Sequence, residues 1–214
     1  MEESLNWISN ELEEIDKLLR KGKVEKHEKN FVISRLSVIM EVGIKKILIR
    51  VLTQFGNNNK FIEKTSHHTH TYPLTLKKLR QFENKEISLE ELIFEDFRHY
   101  TNFFQMGKLF SDFFDFDVIS ELDLIYKNTD YKNKLNSFIS ERNKVSHELY
   151  YTDLTIEKLL EISQILAYFL KDLLGLLIEY AKFIEEQTDI TGKLSKEDKI
   201  QIKNKFEEIK NNHK

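Results

Sequence analysis

A chain of 214 residues with a single proline, Pro73, and only six glycines has few places to turn. These residues are the strongest local breakers, so their scarcity predicts long helices and argues against a many-turned β protein. The length suits one domain, at most two, with a core that needs no disulfide or metal staple.

Hydrophobic spacing locates the helices. Leu5, Ile8, Leu12, Ile15 and Leu19 predict a helix over 4–20, stopped at Gly22. A wide apolar stripe from Val32 through Leu36, Ile39, Ile44, Leu48 and Phe55 predicts a long helix over 24–55, stopped at Gly56. Residues 56–72 read as a loop. Pro73 opens a short helix over 75–83, and Ser88 with Glu91 forms a capping box for a helix running to about Gly107. Short helical pieces follow to about Lys127. A helix over about 130–149 carries Leu135, Phe138, Ile139 and Val145, and Thr152, Asp153 and Thr155 signal a break and a new N-cap. Residues 155–187 form a second long helix, very rich in Leu. The domain expected is 1–187, followed by a linker and a charged helix within 188–214.

The chain lacks cysteine, which excludes disulfides, thiolate metal sites and cysteine nucleophiles. Its acidic start, without an apolar run, does not read as a signal peptide, and no apolar run reaches a membrane span. A cytoplasmic protein with no membrane partner is expected. With 33 basic and 36 acidic residues, the chain is not built to coat nucleic acid; any RNA site must gather its positive charge locally.

The stretch Ser140-Glu141-Arg142-Asn143-Lys144-Val145-Ser146-His147 carries the most chemistry. Arg142 lies between Phe138 and Val145 on the apolar stripe of its helix, where a guanidinium needs a partner or a task unless its stem snorkels to water. His147, five residues on, is about 140° around the helix and shares a face with Asn143 rather than Arg142. One chain therefore does not aim both groups at one point. A two-fold homodimer with the helices meeting near the axis can. Taken alone, a His at a helix end is more often a cap or dipole partner.

This stretch resembles the signature of HEPN domains, an Arg and a His separated by four to six residues with a polar residue, here Asn143, after the Arg. The motif is short: six Arg and seven His give about 0.6 chance hits. Arg20 to His27 is a second hit, spanning Gly22 between helices, and reads as a decoy. Glu41 and Lys45 also resemble the acidic residue and Lys that such proteins carry on the preceding long helix; the bland alternative is an exposed ion pair. The resemblance spans roughly 24–187. It implies an all-α, HEPN-like bundle of two long antiparallel helices with shorter helices packed against them. It also implies a metal-independent, cofactor-free endoribonuclease with a composite dimer site, of the kind found as toxins and phage-defence effectors, with an antitoxin or defence-system partner protein. Arg142, His147 and Asn143 would be catalytic, Glu41, Lys45 and Ser146 supporting, and Lys144 RNA-binding.

Three features compete. His67, His68 and His70 could bind a metal, but a solvated loop is the plainer reading. Eight phenylalanines between Phe94 and Phe116 suit a core or dimer interface better than base stacking. Lys77, Lys78 and Arg80 form a basic patch that reads first as a solvated helix face. Two rival functions remain: a non-catalytic HEPN-like module that binds a nucleotide, RNA or protein, and a plain helical interaction protein in which the motif is coincidence.

Overall fold

The computed structural model describes residues 2–55, 76–96, 118–125, 130–148 and 150–187, with helical positions at 197, 200, 201, 204 and 208. Among these residues the chain is all-helical, with no strand. The helices with described bounds are, in order, α1 (Glu2–Arg20), α2 (Lys26–Phe55), α3 (Leu76–Glu83), α4 (Leu89–Asp96), α5 (Val118–Ile125), α6 (Tyr131–His147) and α7 (Ile156–Gln187).

Local chemistry sets the boundaries. Gly22 has φ +102°, a left-handed conformation that costs glycine little, and it separates α1 from α2. At the start of α2 the Glu28 carboxylate accepts the Glu25 backbone N–H at 2.8 Å. The Ser88–Glu91 capping box is closed in both directions: the Ser88 N–H donates to Glu91 at 2.7 Å and the Glu91 N–H donates to the Ser88 hydroxyl at 3.1 Å. Thr155 caps α7 by accepting the Lys158 N–H at 3.2 Å. The glycine-bearing stop at 56, the continuation of α4 beyond 96, Pro73 and the linker at 188–194 lie outside the described residues. The described positions of the expected C-terminal helix, such as Glu197 and Ile200, are helical.

The two long helices run parallel, which corrects the antiparallel expectation. Lys29, near the start of α2, donates to the Leu154 carbonyl just before α7, and Gly43, further along α2, faces Leu170, further along α7. The reason is connectivity. Helices joined by a short loop pack antiparallel, but α2 and α7 are not sequential. α1 turns back into α2: Trp7 lies against Lys46, and Glu11 pairs with Arg35. α6 turns back into α7: the Tyr131 hydroxyl donates to Asp172 at 2.6 Å and its ring meets Phe169 edge-on at 5.6 Å, while Glu141, near the other end, bonds Thr152. Two antiparallel hairpins, α1–α2 and α6–α7, therefore bring α2 and α7 side by side. Lys46, on the α1 side of α2, is roughly 160° around from Asn30, which faces the α6–α7 loop. α1 and α6 accordingly cover opposite flanks of the α2–α7 pair.

The core lies along that pair. Val32, Ile33, Leu36, Ile39 and Leu48 of α2 meet Leu159, Leu166, Phe169, Leu173 and Leu177 of α7, all essentially inaccessible. α1 adds Ile8, Ile15 and Leu19, and α6 adds Tyr131, Leu135 and Phe138. α5 covers α6 and α7, and α4 packs against α2, with Leu92 buried. No helix among the described residues is long and apolar enough to cross a membrane.

Candidate functional site

α6 is unbroken from Tyr131 to His147, closed by the Glu148 N–H donating to the Lys144 carbonyl at 3.0 Å. Arg142 continues the core-facing line of Leu135, Phe138 and Ile139. The cover thins toward the end of the helix: Arg142 and Val145 are half-buried, and Ser146, one turn beyond Arg142, is exposed. The guanidinium is thus not sealed in an apolar seam. Its Nη1 donates to the Asn143 side-chain oxygen at 3.0 Å. This is the snorkelling arrangement, with the stem on the core and the head at the margin.

His147 is exposed at the helix end, with Asn143 and Lys144 exposed on the preceding turn. Because α6 is regular, His147 stands about 140° around and about 7.5 Å along from Arg142. The phase mismatch read from the sequence is therefore a property of the fold. Asn143 binds Arg142 and not the imidazole. Lys144 lies 3.8 Å from Glu141, an ion pair on a half-exposed surface.

The segment after the motif is held more firmly than the motif itself. Glu141 accepts the Thr152 hydroxyl at 2.5 Å. Thr152, 1% exposed, also accepts the Leu154 N–H at 3.2 Å. Asn30 of α2 spans the same loop with both ends of its amide: Nδ2 donates to the Tyr150 carbonyl at 2.8 Å, and Oδ1 accepts the Thr152 N–H at 3.0 Å. Lys29 adds its bond to the Leu154 carbonyl at 2.8 Å. Irregular backbone that is buried must find partners, and α2 supplies them. Sequence reasoning missed Asn30, whose type and position carry no periodic signal.

Glu41 and Lys45 pair at 2.7 Å, with the lysine side chain 8% exposed. The exposed-pair alternative is therefore incorrect, because the later part of α2 is covered by neighbouring helices. Glu41 is on Asn30's side of α2, about 20° around, but roughly 16 Å further along, away from the end of α6 that carries His147. The structure does not bring this pair to His147.

Arg20 of the decoy motif ends α1 and binds Asp16 at 2.7 Å, on the far side of Gly22 from an exposed His27. Lys77 and Arg80 are exposed on α3 and Lys78 is half-buried. His67, His68 and His70 lie outside the described residues, as do the phenylalanines from Phe97 to Phe116. Among the described residues, no group of three or more His, Asp or Glu gathers as a metal site. Comparison with protein-family models, with curated proteins and with solved structures gave no match.

Proposed function

We propose that the chain is a HEPN-type endoribonuclease that works as a homodimer, with Arg142 and His147 as its reacting pair. The observation that carries this reading is the placement of the motif: Arg142, Asn143 and His147 stand in the last turns of a regular helix, Asn143 and His147 open to solvent and Arg142 half-buried at the core margin, in a segment whose two ends are tied together by Glu141 and Thr152. RNA brings its own nucleophile. The 2′-oxygen attacks phosphorus, the bond from phosphorus to the 5′-oxygen breaks, and the products carry a 2′,3′-cyclic phosphate and a 5′-OH. An imidazole takes the 2′-OH proton or protonates the leaving oxygen, and a guanidinium steadies the charge on the phosphoryl oxygens. Lys144 adds positive charge beside the strand. Glu41, Lys45 and Ser146 support from outside the reacting pair. No step needs a metal or cofactor.

A second copy supplies what one chain's geometry lacks. Phe31 is 58% and Val38 46% exposed, seven residues apart on one face of α2, and Tyr151 is 55% exposed in the loop held by Asn30. Apolar side chains beside the motif end suit burial against a partner subunit. Such activity, kept in check by a partner protein, fits a toxin or defence effector of the cytoplasm.

The test is direct. Purified protein should cut single-stranded RNA, leave the matching DNA intact, give cyclic-phosphate ends, and keep its activity in EDTA. His147→Ala should abolish cleavage while keeping the helical fold. A fully active His147→Ala protein overturns the reading. One observation favours a second reading, a non-catalytic binding module: one N–H of the Arg142 head is already taken by Asn143. Tight RNA or nucleotide binding without turnover would select it.

A further inference from the structure

We propose that Asn30, on a different helix from the motif, is the positioning residue of the site, fixing the α6–α7 loop and through it the end of α6 that presents His147. This inference rests on the ribonuclease reading and names a part of its machinery.

Residues 150–155 have no regular structure, yet Thr152 is 1% exposed. The Asn30 amide satisfies two of the loop's backbone groups at once, the Tyr150 carbonyl and the Thr152 N–H. An amide is the suitable group, because it offers a donor and an acceptor side by side. Thr152 then passes the constraint to α6, since its hydroxyl donates to Glu141, the residue before Arg142. Arg142 to His147 thus lies inside a loop closed by Glu141 and Thr152 and anchored to α2 by Asn30. Among the described residues, His147, exposed at the helix end, has no comparable side-chain tether. Its position depends on where the clamp holds the chain that follows it.

Loss of the clamp should let the last turn of α6 fray, because helix ends are the least stable part of a helix. Catalysis that depends on placement is sensitive to such movement: displacement by about 1 Å can cost about 10²-fold.

The experiment uses the full chain as the dimer and a short single-stranded RNA. In Asn30→Ala, the Thr152 amide should exchange with solvent about tenfold faster, the equivalent of one lost hydrogen bond. The kcat should fall about 10²-fold with KM little changed. Asn30→Asp keeps the acceptor for Thr152 and loses the donor to Tyr150, so it should fall between wild type and Asn30→Ala. If Asn30→Ala does not fold, Asn30→Asp together with Thr152→Val, which removes the hydroxyl bond to Glu141, carries the same test. Wild-type kcat in these variants overturns the proposal, as does a rise in KM with kcat unchanged, which would place Asn30 in binding. If wild-type protein does not cut RNA, the ribonuclease reading fails separately, and the clamp is judged on the His147 imidazole resonance. A shift or broadening in Asn30→Ala upholds positioning, and an unchanged resonance overturns it.

Discussion

Lys45 and Glu41 are joined at 2.7 Å with the lysine side chain 8% and the glutamate side chain 25% exposed. An ammonium held that deep keeps a carboxylate beside it for stability, and the pair stands well along α2 from the end of α6. Glu41→Ala should therefore destabilise the fold by about 1.5–3 kcal/mol, the worth of a hydrogen bond between charged groups. Glu41→Met with Lys45→Met should be less destabilising than Glu41→Ala, because the double change removes both charges of the pair and their desolvation cost. RNA cleavage by Lys45→Met should fall much less than the 10²–10⁴-fold typical of a lost acid or base. Urea titration and single-turnover cleavage check both halves. A Lys45→Met protein as inactive as His147→Ala would put the pair in the chemistry.

The capping box at α4 carries a pH dependence. The Ser88 backbone N–H, and then the Ser88 hydroxyl, hold the Glu91 carboxyl below its ordinary value of 4.5. A carboxyl whose pKa is depressed in the folded state stabilises the fold above its unfolded pKa, and the contribution is lost as pH falls through the folded value. Glu91→Ala should lower the thermal midpoint at pH 7. That difference should shrink as pH falls below 4.5 and vanish once the wild-type carboxyl is protonated. A difference that is the same at pH 7 and at pH 3 would assign the loss to packing instead.

Two helical glycines should respond with opposite signs. At Gly175, exposed in the middle of α7, an added Cβ meets nothing within 4 Å. Gly175→Ala should stabilise by about 0.5–1 kcal/mol through helix propensity. At Gly43 an added Cβ would stand 2.8 Å from Leu170 and 3.4 Å from Ile8, where α1, α2 and α7 converge. Gly43→Val should destabilise by about 1–3 kcal/mol through overpacking. Thermal melts of the two variants decide it, and a stable Gly43→Val would mean that α7 stands further from α2.

Much of this was legible in the sequence where the signal is local. The three- and four-residue spacing of Ile8, Leu12, Ile15 and Leu19 gave α1, and that of Val32, Leu36 and Ile39 gave α2, because a helix buries one stripe and the stripe is written in order. Ser88 with Glu91 and the cap at Thr155 were readable for the same reason. The relative direction of α2 and α7 was not, since it depends on how many reversals lie between them. The depth of Lys45 was not, because a Glu–Lys pair four apart looks alike on an open face and on a covered one. Asn30 was least legible: its partner Thr152 is 122 positions away, and nothing in a charged stretch marks one Asn as a bridge.

The phase of α6 leads to the sharpest prediction. Arg142 and His147 point about 140° apart, so a two-fold dimer should join Arg142 of one chain to the partner's His147. Arg142→Ala and His147→Ala should each lose about 10²–10⁴ in rate as homodimers. A tagged heterodimer of the two has one cleft with both groups intact and one with neither, so it should recover about half of the wild-type rate. The converse heterodimer, wild type with the Arg142→Ala/His147→Ala double variant, leaves each cleft short of one group and should be inactive. If each site were built within one chain, the outcomes would be reversed. If all four groups were needed together, neither heterodimer would cut. Arg142→Lys should stay impaired as a homodimer, since an ammonium cannot offer the planar fork of donors to a phosphate. Three distinguishable outcomes from one pair of heterodimers separate the trans, cis and four-residue sites, and only the first agrees with the direction in which α6 carries its two side chains.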